Sequence, residues 1–185
     1  MTRGEELLRN LFKSRPSRQA AERLYAAAAA QARRPVFYAE MGVPDRIDAR
    51  FELYTLHVLL LILRLRDEGQ VGADAAQDLF DAYVSALDNT LRELGVGDVS
   101  VGRKMRRLGE ALYGRMTAYE AVIRAGDQPA LAAALARNVL ESDQVTPGMT
   151  RLAAYALTSR EALAAQAFDA VTAAPGWAAL EPAAG

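Results

Sequence analysis

The chain has 185 residues, of which 51% are hydrophobic and 24% charged, so it is long enough for one globular domain with a substantial core. Its 22 lysines and arginines nearly balance its 23 aspartates and glutamates, which disfavours a globally basic nucleic-acid binder, and no DNA partner is expected. The absence of cysteine excludes disulfides and cysteine metal sites, and a single histidine, His57, excludes multi-histidine metal sites and disfavours a Ser-His-Asp hydrolase. Composition alone therefore indicates a soluble helical domain and offers no candidate catalytic residues, metal or cofactor.

Apolar residues recur three and four positions apart through most of the chain, and no strand-like alternation is evident. This pattern predicts an all-α fold, a single-domain irregular bundle of about six to seven helices. We expect N-terminal helices in residues 1–34 to pack on a helical core over residues 35–174, followed by a flexible tail in residues 175–185.

The N-terminal part is predicted to contain two helices. The first covers residues 2–14, and the second begins at Ser17, a good capping residue, and ends before Pro35. Residues 35–44 then form a connector with a helical turn at residues 36–38.

The third predicted helix starts after Pro44 and Asp45 and is apolar around most of its circumference. A helix of this kind belongs in the middle of a bundle. Its apolar stretch, residues 51–63, is shorter than the ~20 residues that a membrane span needs. His57 lies inside this stretch and is expected to be a buried, hydrogen-bonded histidine; the alternative is a haem ligand or proton carrier.

Two well-patterned helices follow. Gly69 and Gly72 are expected to break the chain before a helix over residues 74–94, and a further helix starts at Asp98 or Ser100. The apolar stripe of the latter consists of Met105, Leu108, Leu112, Met116, Tyr119 and Ile123. Tyr119 is therefore predicted in the core, whereas Tyr113 lies at the edge of the stripe and is the better surface candidate.

The C-terminal part is divided by turn signals. Gly126, Asp127 and Pro129 indicate a stop, a cap and a restart before a short helix. Pro147 starts the last predicted helix, which ends near Pro175, and Trp177 is expected in the loose tail.

Basic residues are concentrated in one segment of this neutral chain: Arg103, Lys104, Arg106 and Arg107. At 100° per residue, Arg103, Arg106, Arg107 and Arg124 are predicted to lie away from the apolar stripe, while Lys104 and Arg115 flank it. The segment is either an ordinary solvated face or a docking face for something anionic, such as ribosomal RNA, phospholipid headgroups or an acidic protein.

The N-terminus carries Glu5 and Glu6 where a signal peptide would have its apolar stretch, so a cytoplasmic protein is expected.

Several segments carry a family resemblance. Residues 91–107 read LRELGVGDVSVGRKMRR and residues 111–115 read ALYGR, followed by Ala118 and Tyr119. Together with LHVLL at residues 56–60 and LAAALAR at residues 131–137, they resemble the ubiquinol-cytochrome c chaperone family in the same order along the chain. The resemblance extends over roughly residues 37–157.

This resemblance implies an assembly factor for ubiquinol-cytochrome c reductase, respiratory complex III. Mitochondrial members bind newly made cytochrome b near the ribosomal exit tunnel, together with a small partner protein. This chain looks like a bacterial, soluble member of the family, and cytochrome b is its expected partner. The ribosome, a small partner subunit and an anionic membrane surface are further candidates. Contact with the membrane would be peripheral, at the inner face of the cytoplasmic membrane.

The candidate partner-contacting residues are Arg103, Lys104, Arg106, Arg107, Tyr113 and Arg115. Two other functions stay open: a peripheral membrane module that uses the basic helix face, and a haem-handling protein that uses His57.

Overall fold

The structure, a computed structural model, describes residues 15–93 and 98–180, with side chains described for residues 17–90 and 112–180. The described helices, in chain order, are α1 (Arg15–Ala32), α2 (Pro35–Ala39), α3 (Ile47–Arg66), α4 (Gly69–Glu93), α5 (Asp98–Ala125), α6 (Gln128–Leu135), a π-helical turn (Ala136–Leu140), α7 (Pro147–Ala164) and α8 (Phe168–Ala173). The described part of the chain is an all-α bundle, which confirms the predicted fold class.

Helix α3 lies at the centre, as its sequence predicts. Every residue from Phe51 to Leu65 except Tyr54 is buried. The surrounding elements that contact α3 are α1, α4, α5, the π-helical turn and α7. Among the helices of the described residues, none is long and apolar enough to cross a membrane.

The connection between α3 and α4 differs from the prediction. Helix α4 begins at Gly69 instead of near Asp74, so Gly72 lies inside the helix. Gly69 has a φ of +66°, which glycine adopts without strain. A Cβ on Gly72 would lie 1.8 Å from the backbone oxygen of Leu65. These glycines therefore allow a tight turn and close helix contact.

At the N-terminal side, α1 begins at Arg15, so Ser17 lies within the helix and the predicted cap position is wrong. The predicted helix over residues 2–14 lies outside the described residues. Helix α1 packs on α3 and α4 through small and apolar side chains, namely Ala21, Leu24, Ala28 and Ala32. The predicted helical turn at residues 36–38 is confirmed as α2.

The signals between α5 and α6 are confirmed. Gly126 has a φ of +66°, and the carboxylate of Asp127 accepts a hydrogen bond from the backbone N of Ala130 at 2.9 Å. Helix α6 continues into the π-helical turn, which ends at Glu141 with a φ of 54°. Arg46 pairs with Glu141 at 3.4 Å and connects this end to the start of α3.

The C-terminal part was expected to be one helix and a loose tail, but the structure differs in both respects. Residues 165–167 separate α7 from α8. The Trp177 ring lies 5.2 Å from the His57 ring, and the backbone N of Ala178 donates to Ser159 Oγ at 3.3 Å. Residues 177 and 178 are therefore packed on the bundle, while residues 181–185 lie outside the described part.

The close approach at Gly72 gives a test of the packing. Gly72→Ala would force α3 and α4 apart, so we expect a loss of about 1–3 kcal/mol in the free energy of unfolding, measured by urea denaturation. Gly114→Ala is the matched control, because no atom lies within 4 Å of the added Cβ; replacing a mid-helix glycine there should stabilise by about 0.5–1 kcal/mol. Equal effects of the two substitutions would contradict the close approach.

Candidate partner-binding surface

The predicted contact residues all lie on α5, but the structure gives them different surroundings. Arg103, Lys104, Arg106 and Arg107 lie in its first half, and their side chains are outside the described residues. Their role as contacts stays a prediction. In the second half, the side chains of Tyr113 and Arg115 are described.

Tyr113 is 74% exposed, whereas Tyr119 is fully buried, as the helical wheel predicts for both. In the part of α5 whose side chains are described, the buried stripe consists of Leu112, Met116, Tyr119 and Ile123. Tyr113 and Arg115 are about 200° apart on the wheel, so they flank this stripe on opposite sides. A single flat partner surface would not engage both in the same way.

Tyr113 stands at the rim of a groove between α3, α4 and α5 with a volume of about 200 Å³. Its floor is formed by apolar side chains that are almost fully buried: Leu59, Ile62, Ala76 and Met116. Phe80, Arg66 and Glu120 also line the groove, and Arg66 pairs with Glu120 at 3.3 Å. The volume is below the ~300 Å³ of typical small-molecule pockets, so the groove suits side chains of a bound segment better than a small molecule.

A larger groove of about 630 Å³ lies between α1 and α4. Tyr25, Phe80 and Val84 contribute apolar surface, but Arg18, Glu22, Asp78 and Asp81 also line it. Because covering charged side chains costs them hydration, this groove is less suited to an apolar segment.

Arg115 is only 30% exposed, and its Nε donates to Glu52 Oε1 of α3 at 3.0 Å. The second oxygen of Glu52 accepts a hydrogen bond from the Tyr119 hydroxyl at 3.4 Å, and Asn138 Nδ2 donates to that hydroxyl at 2.9 Å. The Arg115 guanidinium also lies 5.6 Å from the centre of the Phe51 ring. A polar network thus joins α3, α5 and the π-helical turn.

The Glu52 carboxyl titrates near neutral pH. Burial raises its pKa from 4.5 to about 7, and Asp48 adds to the rise, whereas Arg115 and the hydrogen bond from Tyr119 oppose it. Burial also raises the pKa of Tyr119 and of Tyr83, so both phenols are neutral at that pH. Glu52 is therefore the group of this network whose charge changes near pH 7.

His57 lies on another side of α3 and is fully buried. Its Nδ1 is 2.7 Å from the carbonyl oxygen of Leu53, which can only accept, so Nδ1 carries the proton and Nε2 accepts from the Tyr155 hydroxyl at 3.1 Å. Gln31 Nε2 donates to the same hydroxyl at 2.9 Å. The prediction of a buried, hydrogen-bonded histidine is confirmed.

Burial lowers the pKa of His57 from 6.5 to about 4, so the ring is neutral at pH 7. Its contribution to stability is present above pH 6.5 and is lost as the pH falls towards 4. Both ring nitrogens are engaged with protein groups, so the geometry explains His57 by packing and gives no support to the haem alternative.

Sequence reasoning assigned no role to Glu52 or Asn138. A signal for Glu52 was present, because a carboxylate inside an otherwise apolar helix must find a partner when it is buried. The sequence did not show which arginine that partner would be. Asn138 gave no signal, since its contact depends on the position of the π-helical turn.

The model of the ubiquinol-cytochrome c chaperone family matches residues 39–176, which include α3 to α8. The chain belongs to this family. The match includes Glu52, Tyr113, Arg115, Tyr119 and Asn138, and thus the whole network and the rim of the groove.

Two relatives of the family add detail. A crystal structure titled as the Cbp3 homolog from Brucella abortus is 35% identical, with a TM-score of 0.76, and the match includes 90% of this chain and 93% of that one. The ubiquinol-cytochrome-c reductase complex assembly factor 1 of Xenopus laevis is 27% identical over 104 residues, 56% of this chain and 52% of that protein. The chain therefore matches about half the length of this curated relative.

The raised pKa of Glu52 predicts a pH dependence of stability. The folded state holds the Glu52 proton up to about pH 7, whereas the unfolded state releases it near pH 4.5, so stability present below pH 4.5 is lost as the pH rises to 7. Glu52→Gln cannot titrate. The free energy of unfolding of Glu52→Gln minus that of wild type should therefore increase by about 3 kcal/mol as the pH rises across this range. Urea denaturation at a series of pH values measures this difference.

His57 makes the free energy of unfolding rise with pH, opposite to Glu52. Because His57 is present in both proteins, its effect cancels in the difference between Glu52→Gln and wild type. Glu141→Gln changes an exposed carboxylate that is also paired with an arginine, and it should keep the wild-type curve. A difference between Glu52→Gln and wild type that stays constant with pH would show that Glu52 does not titrate in this range.

Proposed function

We propose that this protein is a non-enzymatic chaperone that binds newly made cytochrome b and supports the assembly of ubiquinol-cytochrome c reductase. The observation that carries the proposal is the family match over residues 39–176. The name of the Xenopus laevis relative, a reductase complex assembly factor, points to the same process. Cytochrome b itself is proposed from the family resemblance.

The surface around Tyr113 is the proposed site of contact with the client. A chaperone for a membrane protein must cover apolar segments, and an apolar groove is a common way to hold them. The groove beside Tyr113 offers buried Leu59, Ile62 and Met116 at its floor and an exposed aromatic ring at its rim. Tyrosine suits such a position because its ring is apolar and its hydroxyl can stay hydrated.

The basic segment Arg103, Lys104, Arg106 and Arg107 is proposed to attract an anionic group by long-range charge. That group belongs to the client, to the ribosome near the exit tunnel, to a small partner subunit or to an anionic membrane surface. Arg115 completes the proposed contact set, although its pairing with Glu52 gives it a second task within the fold. We propose a cytoplasmic protein that can associate peripherally with the inner face of the membrane.

The proposal is tested by crosslinking and capture of tagged protein from cells, with mass spectrometry of the captured proteins. Capture of cytochrome b, together with loss of complex III when the gene is deleted, is the expected result. Normal complex III in the deletion strain and no captured cytochrome b would overturn the proposal. Flotation with liposomes of anionic and of neutral lipid, run in parallel, tests the alternative that the protein binds anionic membranes instead of cytochrome b.

Charge reversal tests the basic segment. We expect the triple variant Arg103→Glu, Arg106→Glu and Arg107→Glu to reduce cytochrome b capture on the order of tenfold while the helical content stays unchanged, because long-range attraction is lost. The matched control reverses Arg18, Arg23 and Arg137, which changes the net charge equally at three exposed positions elsewhere in the chain. Equal capture by wild type and by the first variant would exclude the segment as a contact.

Truncation tests the aromatic contact. Tyr113→Ala removes an exposed ring, so the fold should be retained while binding weakens by about 1–2 kcal/mol, roughly tenfold in capture. Ile47→Ala is the matched control, because Ile47 is 62% exposed and lies outside the groove. Similar losses for both variants would mean that the effect is not specific to the groove.

A further inference from the structure

Among the residues whose side chains are described, two ion pairs join α5 to α3, and the acidic partner lies on α3 in one pair and on α5 in the other. Near the start of α3, Glu52 accepts from Arg115 of α5; at the end of α3, Arg66 donates to Glu120 of α5. Arg115 and Glu120 lie about 140° apart on the α5 wheel, on the two sides of its buried stripe. The two pairs therefore hold α5 from both flanks.

The two ion pairs constrain the position of α5 to different degrees. In the second pair, the Arg66 and Glu120 side chains are 50% and 28% exposed, and such pairs contribute little. In the first pair, the Glu52 side chain is 2% exposed and receives a second hydrogen bond from Tyr119. Removing Arg115 would leave the buried Glu52 carboxylate without its compensating charge, so this pair constrains the geometry more strongly.

Apolar packing between α3 and α5 leaves the rotation of α5 about its axis less defined, because apolar contacts are non-directional. Hydrogen bonds and ion pairs need defined distances and angles. We propose that Glu52 is the positioning residue of α5: by holding Arg115 and Tyr119, its carboxylate fixes the rotation of the helix and so the presentation of Tyr113. This inference rests on the proposed function for its effect on client binding.

The same network responds to protons. Among the described side chains, the charged and titratable groups that face Glu52 are Arg115 and Tyr119 from α5, Tyr83 from α4 and Asp48 from its own helix. Asn138 approaches through Tyr119 from the π-helical turn. Protonation of Glu52 near pH 7 removes the charge that holds Arg115. The partly exposed guanidinium can then turn to water, and α5 loses its buried ion pair.

The first experiment needs no client. Purified protein is treated with phenylglyoxal at about pH 6 and about pH 8, on either side of the Glu52 pKa of about 7. The ratio of modification at Arg115 to that at Arg124 of the same helix is read by peptide mass spectrometry. We expect this ratio to be several-fold higher at the lower pH in wild type, and high at both pH values in Glu52→Gln.

The matched control Glu141→Gln should behave as wild type. A ratio that does not change with pH in wild type would overturn the positioning role, and this arm holds even if Glu52→Gln fails to fold. A change of the same size in Glu52→Gln would also overturn it, because the titrating group would then lie elsewhere.

The second experiment measures retention of cell-free synthesised cytochrome b on immobilised protein after washes at the same two pH values. Wild type should retain several-fold more at the higher pH, where Glu52 is charged, and Glu52→Gln should retain little at either. Retention by Glu52→Gln equal to that of wild type at the higher pH would overturn the link to presentation.

The two proposals fail in different ways. If no protein retains cytochrome b while the arginine ratio titrates as expected, the positioning of α5 stands and the proposed function falls. If retention is strong in wild type but the arginine ratio is constant, the proposed function stands and the positioning role falls.

Discussion

Helix α3 contains four buried polar side chains, Glu52, Thr55, His57 and Arg64, and each needs a partner away from water. The partners come from different neighbours. Glu52 meets α5, the Thr55 hydroxyl lies 2.8 Å from that of Tyr83 on α4, and His57 reaches Tyr155 of α7. Arg64 donates to the carbonyl oxygen of Leu163 in the last turn of α7 and to that of Gln166 just after the helix. Apolar burial puts α3 in the centre, but these polar contacts determine which element lies on which side. If α3 were entirely apolar and equally buried, alternative placements of its neighbours would differ less in free energy from the native one.

The proposed contact surface follows from this arrangement. Because α5 lies against α3 and α4, Tyr113 is placed at a groove whose buried floor is formed by side chains of all three helices. The groove is therefore a property of three helices in one fixed relation, and not of the residues that line it taken one by one. A protein that must bind a client and later release it benefits from a surface whose geometry depends on a small number of polar contacts.

The sequence predicts the features that depend on local patterns. The apolar circumference of α3, the burial of Tyr119, the exposure of Tyr113 and the cap at Asp127 all follow from helical spacing or capping chemistry. The early start of α4 does not follow from such patterns, because the role of Gly72 depends on the distance to α3. The partner of Glu52 cannot be read from the sequence either, since several arginines of the chain are equivalent candidates until the helices are placed. The packing of Trp177 does not follow from local patterns either, because its ring contacts His57, more than a hundred positions earlier in the chain. The role of the basic segment remains a prediction, as do the domain boundaries.

The centre around His57 joins Gln31, Tyr155 and Trp177, which are distant from one another in the chain. Contacts of such long sequence separation require much of the chain to be arranged before they form, so we expect this centre to form late in folding. Gln166 supports it by pairing with the backbone of Gly176 at 2.7 and 2.8 Å, next to Trp177. Trp177 is also the single tryptophan of the sequence. Its fluorescence therefore reports completion of the native bundle at one defined place, and the molecule carries its own optical probe of that final step.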